Sequence, residues 1–289
     1  MTAMTVGAEV GAPVRRAPLL RLFRSELRMI LRRPRNIIGI GLLGLVPVVA
    51  GIGISIAASG SSSSDGDSVD GLAALVDGNG MLLPIFALVL ALNMLLPLTG
   101  AMLAADALAG ESAHGTLRGL LLAPVGRGRL LAVKAMGVAT VVLLSIVLMA
   151  VTGLVTGLLL LGGDGMLSSS GTQLPFVDGL GRIGLTIVLL TVQIWALAAV
   201  ALAVSAYTEH PLIVIVCSLG LLIVSGVLSA IPALDWLDPV LIISSWESIG
   251  EVVRDPLDWA PLGEGVLRAV CYMVIGISIA YGRMLSRDG

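Results

Sequence analysis

Charged and aromatic residues are scarce in this sequence. Of 289 residues only 12% are charged and 3% are aromatic, whereas 57% are hydrophobic. A soluble domain carries about 25% charged residues, so this chain lacks the polar groups to cover its surface in water, which indicates a membrane protein. The net charge of −2 provides no basic field for nucleic acid, and few rings remain to stack against sugars.

Motifs for catalysis and metal binding are also missing. The phosphate-binding pattern GxxxxGK[ST] does not occur, since the only lysine, Lys134, is followed by Ala135. His114 and His210 lie far apart, with no cysteine at ligand spacing, so no metal site is predicted. No predicted span contains a histidine, which argues against an intramembrane serine protease. We therefore predict that the chain is not an enzyme, with no catalytic residue and no cofactor of its own.

Cysteine is nearly absent as well. The two cysteines, Cys217 and Cys271, both fall in apolar runs. That setting favours buried free thiols over a disulfide, so the pair does not report a redox compartment.

Long apolar runs dominate what remains. A helix that crosses the hydrocarbon core needs about 20 apolar residues, and six stretches meet that length. They are 37–58, 81–105, 130–161, 183–206, 211–231 and 266–282. The third is long enough to tilt or to extend beyond the bilayer. The prediction is an all-α membrane protein of six transmembrane helices, in which 19–289 forms a single domain.

Basic residues select the orientation of these spans. Fourteen of the 17 basic residues lie before the first span, in the connection after span two or after span six; only Arg182, Arg254 and Arg268 lie in the alternate segments. Both termini are therefore predicted to be cytoplasmic, in a multi-pass protein of the cell membrane with a disordered stretch at 1–18. A signal peptide is disfavoured, because the first apolar run is too long and begins only after 36 residues.

The segment before the first span predicts an amphipathic helix. Its basic face carries Arg21, Arg24, Arg28 and Arg32. Its apolar face carries Leu20, Phe23, Leu27, Ile30 and Leu31. Such a helix is typical of the membrane interface, with its arginines toward anionic headgroups, and Pro34 permits a sharp bend into the first span. A basic anchor that only fixes topology is the alternative interpretation.

The connection after span two, 106–134, predicts a short cytoplasmic helix between turns. Gly115 can close a preceding helix, and Thr116 can cap a new one over 117–123. The leucines on one face of that helix are Leu117, Leu120 and Leu121. An exposed apolar face of this kind indicates a partner, whereas a capped turn with interfacial charges is the alternative.

The same connection resembles the signature of type-2 ABC export permeases. The matching positions are Asp106, Gly110, Glu111, Gly115, Thr116, Leu117, Arg118, Leu121, Leu122, Pro124, Val125, Arg127, Leu130, Leu131 and Lys134. The rest of the chain matches by layout, from the basic interfacial helix to the long outer segment before span six. The resemblance implies a membrane-spanning subunit, a separate ATP-binding subunit that holds ATP and magnesium, and a second copy or a related permease.

The resemblance also implies a coupling helix seated in a groove of the ATP-binding subunit. The residues assigned to that contact are Glu111, His114, Gly115, Thr116, Leu117, Arg118 and Leu121. Glu111 would stand where the family places its acidic residue, at the base of span two.

The outer segment before span six, 232–265, is too long for a turn and too apolar for a free loop. It holds three of the four tryptophans and seven acidic residues, and tryptophan prefers the membrane interface. One or two short helices over 239–253 that dip into the outer leaflet are predicted, and the resemblance implies re-entrant helices here. A surface-lying amphipathic loop is the alternative.

A transport pathway is the function that this layout favours. Phe86, Asn93 and Met94 of span two are candidate pathway residues, and an apolar path suits a hydrophobic or amphipathic substrate. No predicted span carries a charge at its middle, so energy from a bound ATPase is favoured over an ion-coupled secondary transporter, which stays as the alternative. A non-transporting membrane scaffold is the third interpretation.

Overall fold

The computed structural model describes residues 19–60, 78–113, 126–163, 165–168 and 170–286. The predicted disordered stretch, 1–18, lies outside these residues. So do six of the positions assigned to coupling, namely His114, Gly115, Thr116, Leu117, Arg118 and Leu121.

Helices make up most of the described chain. The α-helices are α1 (Leu19–Arg32), α2 (Pro34–Gly60), α3 (Leu83–Leu92), α4 (Leu95–Ala107), α5 (Ala109–Ala113), α6 (Arg127–Leu160), α7 (Phe176–Tyr207), α8 (Pro211–Ser229), α9 (Glu247–Gly250) and α10 (Trp259–Ser286). The short 3-10 helices are Gly80–Leu82, Pro232–Leu237 and Glu251–Val253. Two strands, β1 (Gly165–Leu167) and β2 (Gln173–Pro175), pair antiparallel with Gly165 opposite Pro175.

Five of the described helices are long and apolar enough to cross a membrane, namely α2, α6, α7, α8 and α10. The pair α3 and α4, with the turn before α3, also qualifies, but its two parts are bent by 57° at the break between them. Five of the predicted spans overlap these helices, and the predicted span 81–105 overlaps the bent pair. α6 has 34 residues and is therefore about 51 Å long, well beyond the ~30 Å hydrocarbon core.

A sharp turn at Arg33 separates α1 from α2, where the sequence predicts a bend. Pro34 begins α2, a position at which the missing N–H is tolerated because first-turn donors have no intrahelical partner. The side-chain amide of Asn36 donates a 3.0 Å hydrogen bond to the carbonyl of Ile30 and closes the turn. α1 is thereby folded back to pack against α6.

The core is centred on α7, which packs against α4, α6, α8 and α10. In the most apolar stretch of α7, 67% of the residues are buried. The corresponding share is 22% in α8 and in α10. Cys217 of α8 and Cys271 of α10 are free, and both are exposed on the outer faces of these helices. The prediction that both thiols are buried in the protein is therefore wrong, because apolar sequence in a spanning helix reflects lipid contact as well as core packing.

The hairpin β1–β2 is fastened to the segment before α10. The hydroxyl of Ser168 donates to the carbonyl of Val253 at 2.7 Å. Arg182, in the second turn of α7, donates to the carbonyl of Val252 at 3.0 Å and lies 3.3 Å from the carboxylate of Asp255. These contacts hold the end of the outer segment against α7.

The outer segment folds into short helical turns. Ile242, Trp246, Ile249 and Val252 are buried, and Arg268 of α10 donates to the carbonyl of Leu241 at 3.2 Å. The other two tryptophans of the segment, Trp236 and Trp259, are 72% and 65% exposed. Apolar side chains on the inner side and exposed tryptophans on the outer side distinguish this segment from a free loop.

Candidate coupling site

Three charged side chains are buried together where α1, α5 and α6 meet. The Nζ atom of Lys134 lies 2.8 Å from an Oε1 atom of Glu26 and also pairs with the carboxylate of Glu111. The exposed fractions of the three side chains are 1% for Lys134, 10% for Glu26 and 5% for Glu111. We refer to Glu26, Glu111 and Lys134 as the charged trio.

The trio joins residues that are distant in the sequence. Glu26 lies in the middle of α1, Glu111 lies in the short helix α5, and Lys134 follows the start of α6 by seven residues, or about 10 Å. Gly137, one turn further along α6, allows the close approach, since an added Cβ would lie 3.1 Å from the Cγ atom of Glu26. The trio therefore holds three elements in one arrangement.

The energetics of burial make the trio interdependent. Removing an ion from water costs several kcal/mol, and only well-placed partners offset that cost. A lysine ammonium has three N–H donors, and two of the trio's carboxylates face it here. Because the lysine neutralises one of two negative charges, loss of the lysine would leave two carboxylates close together in a buried site.

A second ion pair lies beside the trio. Asp106, in the last turn of α4, pairs with Arg35 and lies 3.7 Å from Arg33. The Asp106 side chain is 8% exposed. The base of α4 is thereby fastened to the start of α2, while α5 is fastened to α1 and α6 through the trio.

Ser205 of α7 fixes the junction between α4 and α5. The backbone N–H of Ala109 donates to the Ser205 hydroxyl at 2.9 Å, and that hydroxyl donates to the carbonyl of Ala105 at 3.4 Å. The junction thus has its own anchor on the central helix, and Glu111 extends from a held position.

α6 and α10 are joined at the same end of the helix assembly. A guanidinium nitrogen of Arg127 donates to the carbonyls of Met284 and Leu285, at 3.2 and 2.9 Å. These carbonyls lie in the last turn of a helix, where they have no intrahelical partner and where a cation is favourable. Arg283 lies over the ring of Tyr207 at 5.1 Å, a cation–π contact that joins α10 to the end of α7.

Glu111 is the one residue assigned to coupling that the described chain contains. It lies buried beside Lys134, three residues before the stretch 114–125. Glu26 was not predicted from the sequence as a partner of Lys134. The scarcity of these residue types could have indicated the pairing, since Glu26 is the only acidic residue of α1 and Lys134 is the only lysine of the chain.

The four arginines of the predicted interfacial helix, Arg21, Arg24, Arg28 and Arg32, are all exposed. The opposite side of α1 carries Ile30 and Glu26, which are buried. Part of the predicted apolar face thus contacts α6, although Leu20 remains 77% exposed. The placement of the arginines toward headgroups stays a prediction.

The candidate pathway residues lie around the break in span two. Pro97 accounts for the break, because it has no N–H to donate to the carbonyl of Asn93 and its ring crowds that carbonyl. Met94 is 62% exposed and Leu90 is 51% exposed, Asn93 is also exposed, and Phe86 is half-buried. Leu90, Asn93 and Met94 are exposed on one face that no other part of the described chain covers, whereas Phe86 packs partly against the core.

These features define a multi-pass helical membrane protein with its buried ion pairs gathered at one end of the helices. The chain belongs to the ABC-2 family of transporter proteins, whose family model matches residues 20–244. It is thus a permease-type membrane component of an ABC transporter, as the resemblance implied. The matched range contains the charged trio and the break in span two. Comparison with curated proteins finds no match to the chain.

Proposed function

We propose that the chain is the permease subunit of an ATP-driven exporter, powered by a separate ATP-binding subunit. The family match over 20–244 carries the proposal. ATP and magnesium would bind to the partner, since the sequence has no phosphate-binding loop. The chain itself would supply the path through the bilayer.

In this proposal both termini and the connection 106–134 are cytoplasmic. The charged trio, the Asp106 ion pairs and the Arg127 contact with α10 lie at one end of the helices. Arg182, Arg254 and Arg268 belong to the other end. The excess of basic residues at the first end supports its placement in the cytoplasm.

The charged trio would transmit force from the ATP-binding subunit. The predicted coupling helix directly follows α5, so a movement of that helix would act first on Glu111. Through Lys134 the movement would reach α6, and through Glu26 it would reach α1. The ion pair of Asp106, at the base of α4, would carry the same movement to α2, so that one displacement shifts α1, α2, α4 and α6 together.

The uncovered face at the break would line the pathway, next to a second permease copy or a related one. A break leaves the carbonyl of Asn93 without its usual helical donor, and non-helical backbone at membrane depth is tolerated only beside protein or a water-filled cavity. Asn93 is the polar group on a face that is otherwise apolar. This composition supports a hydrophobic or amphipathic substrate. The short turns before α10 would enter the outer leaflet, anchored by Trp236 and Trp259.

Two substitutions test the coupling role. Leu117→Asp is expected to weaken co-purification with the ATP-binding subunit by about tenfold or more, because it places a charge in an apolar contact. Glu111→Ala is expected to lower the ATPase activity of the complex, because it removes one side of the trio. Leu167→Asp is the matched control, since Leu167 lies in the outer hairpin and should leave both quantities unchanged.

The measurements are affinity co-purification of the full complex and its ATPase rate in lipid vesicles. Unchanged assembly and unchanged ATPase rate in both Leu117→Asp and Glu111→Ala would remove the coupling role. Solute uptake by the chain alone, driven by an ion gradient without ATP, would instead establish the ion-coupled alternative.

A further inference from the structure

An apolar cleft of about 200 Å³ lies between α6, α7 and α10, and neither the charged trio nor the residues at the break in span two belong to its lining. Its walls include Ala135, Ala139, Trp195, Ala198, Met273 and Ile277. The cleft exists because alanines stand where larger side chains would close the space between the helices. Ile277 is 41% exposed, so the cleft opens to the outside of the helix assembly.

The lining selects an apolar occupant. The indole N–H of Trp195 already donates to the carbonyl of Ala139 at 2.9 Å, and the other lining residues have no hydrogen-bonding side chain. An ordered water needs two to four polar partners, and an apolar cavity of about 150 Å³ stays dry and takes up apolar molecules. The surroundings of a spanning helix supply such a molecule in the form of lipid.

The cleft is closed at the end nearest the start of α6, and a basic residue lies two helical turns beyond its lining. An added Cβ on Gly128 would lie 3.0 Å from the ring of Tyr281, so α6 and α10 touch below the cleft. Met136 lines the cleft and is 53% exposed at its mouth. Arg129 precedes Met136 by seven residues, which places it on the same face about 10 Å nearer the start of α6.

We propose that this cleft binds one acyl chain of an anionic phospholipid of the cytoplasmic leaflet, with the lipid phosphate beside Arg129. The inference rests on the membrane topology proposed above. The apolar lining fits the acyl chain, and the charge of the half-buried Arg129, two turns nearer the start of α6, complements the negative headgroup. Basic residues between spanning helices on the cytoplasmic side are suited to anionic headgroups.

Fluorescence quenching of Trp195 tests the proposal. In the full chain Trp236, Trp246 and Trp259 are replaced by phenylalanine, so that Trp195 is the sole tryptophan and can be excited selectively at a wavelength that tyrosine does not absorb. The protein is placed in phosphatidylcholine vesicles that contain increasing fractions of lipid brominated on the acyl chain. Brominated phosphatidylglycerol is expected to quench Trp195 about fivefold more effectively than brominated phosphatidylcholine. This preference corresponds to the attraction between one basic residue near the membrane surface and an anionic headgroup.

Three variants locate the effect. Arg129→Gln is expected to abolish the preference for phosphatidylglycerol, whereas the control Arg254→Gln removes an equal charge from the other end of the helices and should retain it. Ala139→Leu fills the cleft and is expected to reduce quenching by both lipids. Native mass spectrometry of the chain with all four tryptophans provides an independent readout. A bound phosphatidylglycerol is expected on the unmodified chain and should be lost in Arg129→Gln.

Several outcomes would overturn the proposal. Equal quenching by the two brominated lipids would mean that Arg129 recognises no headgroup and that any apolar molecule enters the cleft. Absence of quenching would mean that a second copy of the chain or another protein covers the cleft. Persistence of the phosphatidylglycerol preference in Arg129→Gln would place the lipid elsewhere.

Discussion

Replacement of Lys134 by methionine is expected to destabilise the chain by about 3–5 kcal/mol, the cost of removing one partner from a buried ion pair. Methionine keeps most of the length of the lysine stem, so the loss comes from charge rather than from a cavity. Glu26 and Glu111 would then share a buried site without their cation. The free energy of unfolding in detergent, from a denaturant titration of the purified chain, measures this effect.

Two comparisons separate the charge effect from other causes. Arg28→Met removes an exposed cation from the same helix as Glu26, and such a surface change should stay within about 0.5 kcal/mol. The triple variant Glu26→Leu, Glu111→Leu and Lys134→Met removes all three charges, and it is expected to recover most of the stability, because apolar replacement of a complete buried ion cluster is often neutral. Equal stability of Lys134→Met and Arg28→Met would show that the trio is not a buried ion cluster.

The triple variant also separates stability from coupling. If the trio serves only to stabilise the fold, the variant should support normal ATPase activity in the complex. We expect a lowered ATPase rate instead, because an apolar contact lacks the directional ion pairs that link α5 to α1 and α6.

The spans could be predicted from the sequence because lipid imposes a minimum length of apolar residues on every crossing helix. The helix ends could not, since hydrogen bonding continues beyond the hydrocarbon. α7 begins at Phe176 and α10 begins at Trp259, each seven residues before the predicted start of its span. In α7 the added turns contain Arg182, which pairs with Asp255, a residue from a distant part of the chain.

The candidate site was only partly accessible from the sequence. Glu111 was assigned by resemblance, but its link to Glu26 depends on how α1 folds back at Arg33 and on the small size of Gly137. Pairings across such distances are set by the packing of whole helices. The break in span two had a local signal in Pro97, which removes a helical hydrogen bond wherever the chain is placed.

The glycines of span one could be identified from the sequence, but their contacts could not. Span one contains Gly39, Gly41, Gly44, Gly51 and Gly53, each able to permit close packing. An added Cβ on Gly44 or Gly51 would press against side chains of α6, whereas Gly39, Gly41 and Gly53 have no neighbour within 4 Å of that position. The packing of α2 on α6 therefore determines which of these glycines allow a close contact between helices of one subunit.

Span two is held to α6 at both of its ends, with the uncovered break between them. At the end that carries the charged trio, the link is the pair of Lys134 and Glu111, which lies in α5 directly after the span. At the other end the N–H of Gly80 donates to the carbonyl of Gly162 at 2.9 Å, and Gly80 packs directly on Gly157. Fixed ends and a hinge at Asn93 and Met94 would let a push at the base of the span change the angle at its middle.

Gly157→Val is expected to cost about 3 kcal/mol, at the upper end of the usual range for overpacking. A Cβ at Gly157 would overlap the carbonyl oxygen of Gly80 and lie 2.8 Å from its carbonyl carbon. Backbone atoms cannot rotate away as a flexible side chain can, so α6 and the start of span two must separate. Gly53→Val is the matched control, because nothing lies within 4 Å of its added Cβ. Unfolding titrations of both variants give the comparison, and equal costs would contradict a backbone contact between span two and α6.

If the fixed ends serve transport, Gly157→Ala, which presses on the same carbonyl with less bulk, should lower ATP-driven transport by the assembled complex more than Gly53→Ala does.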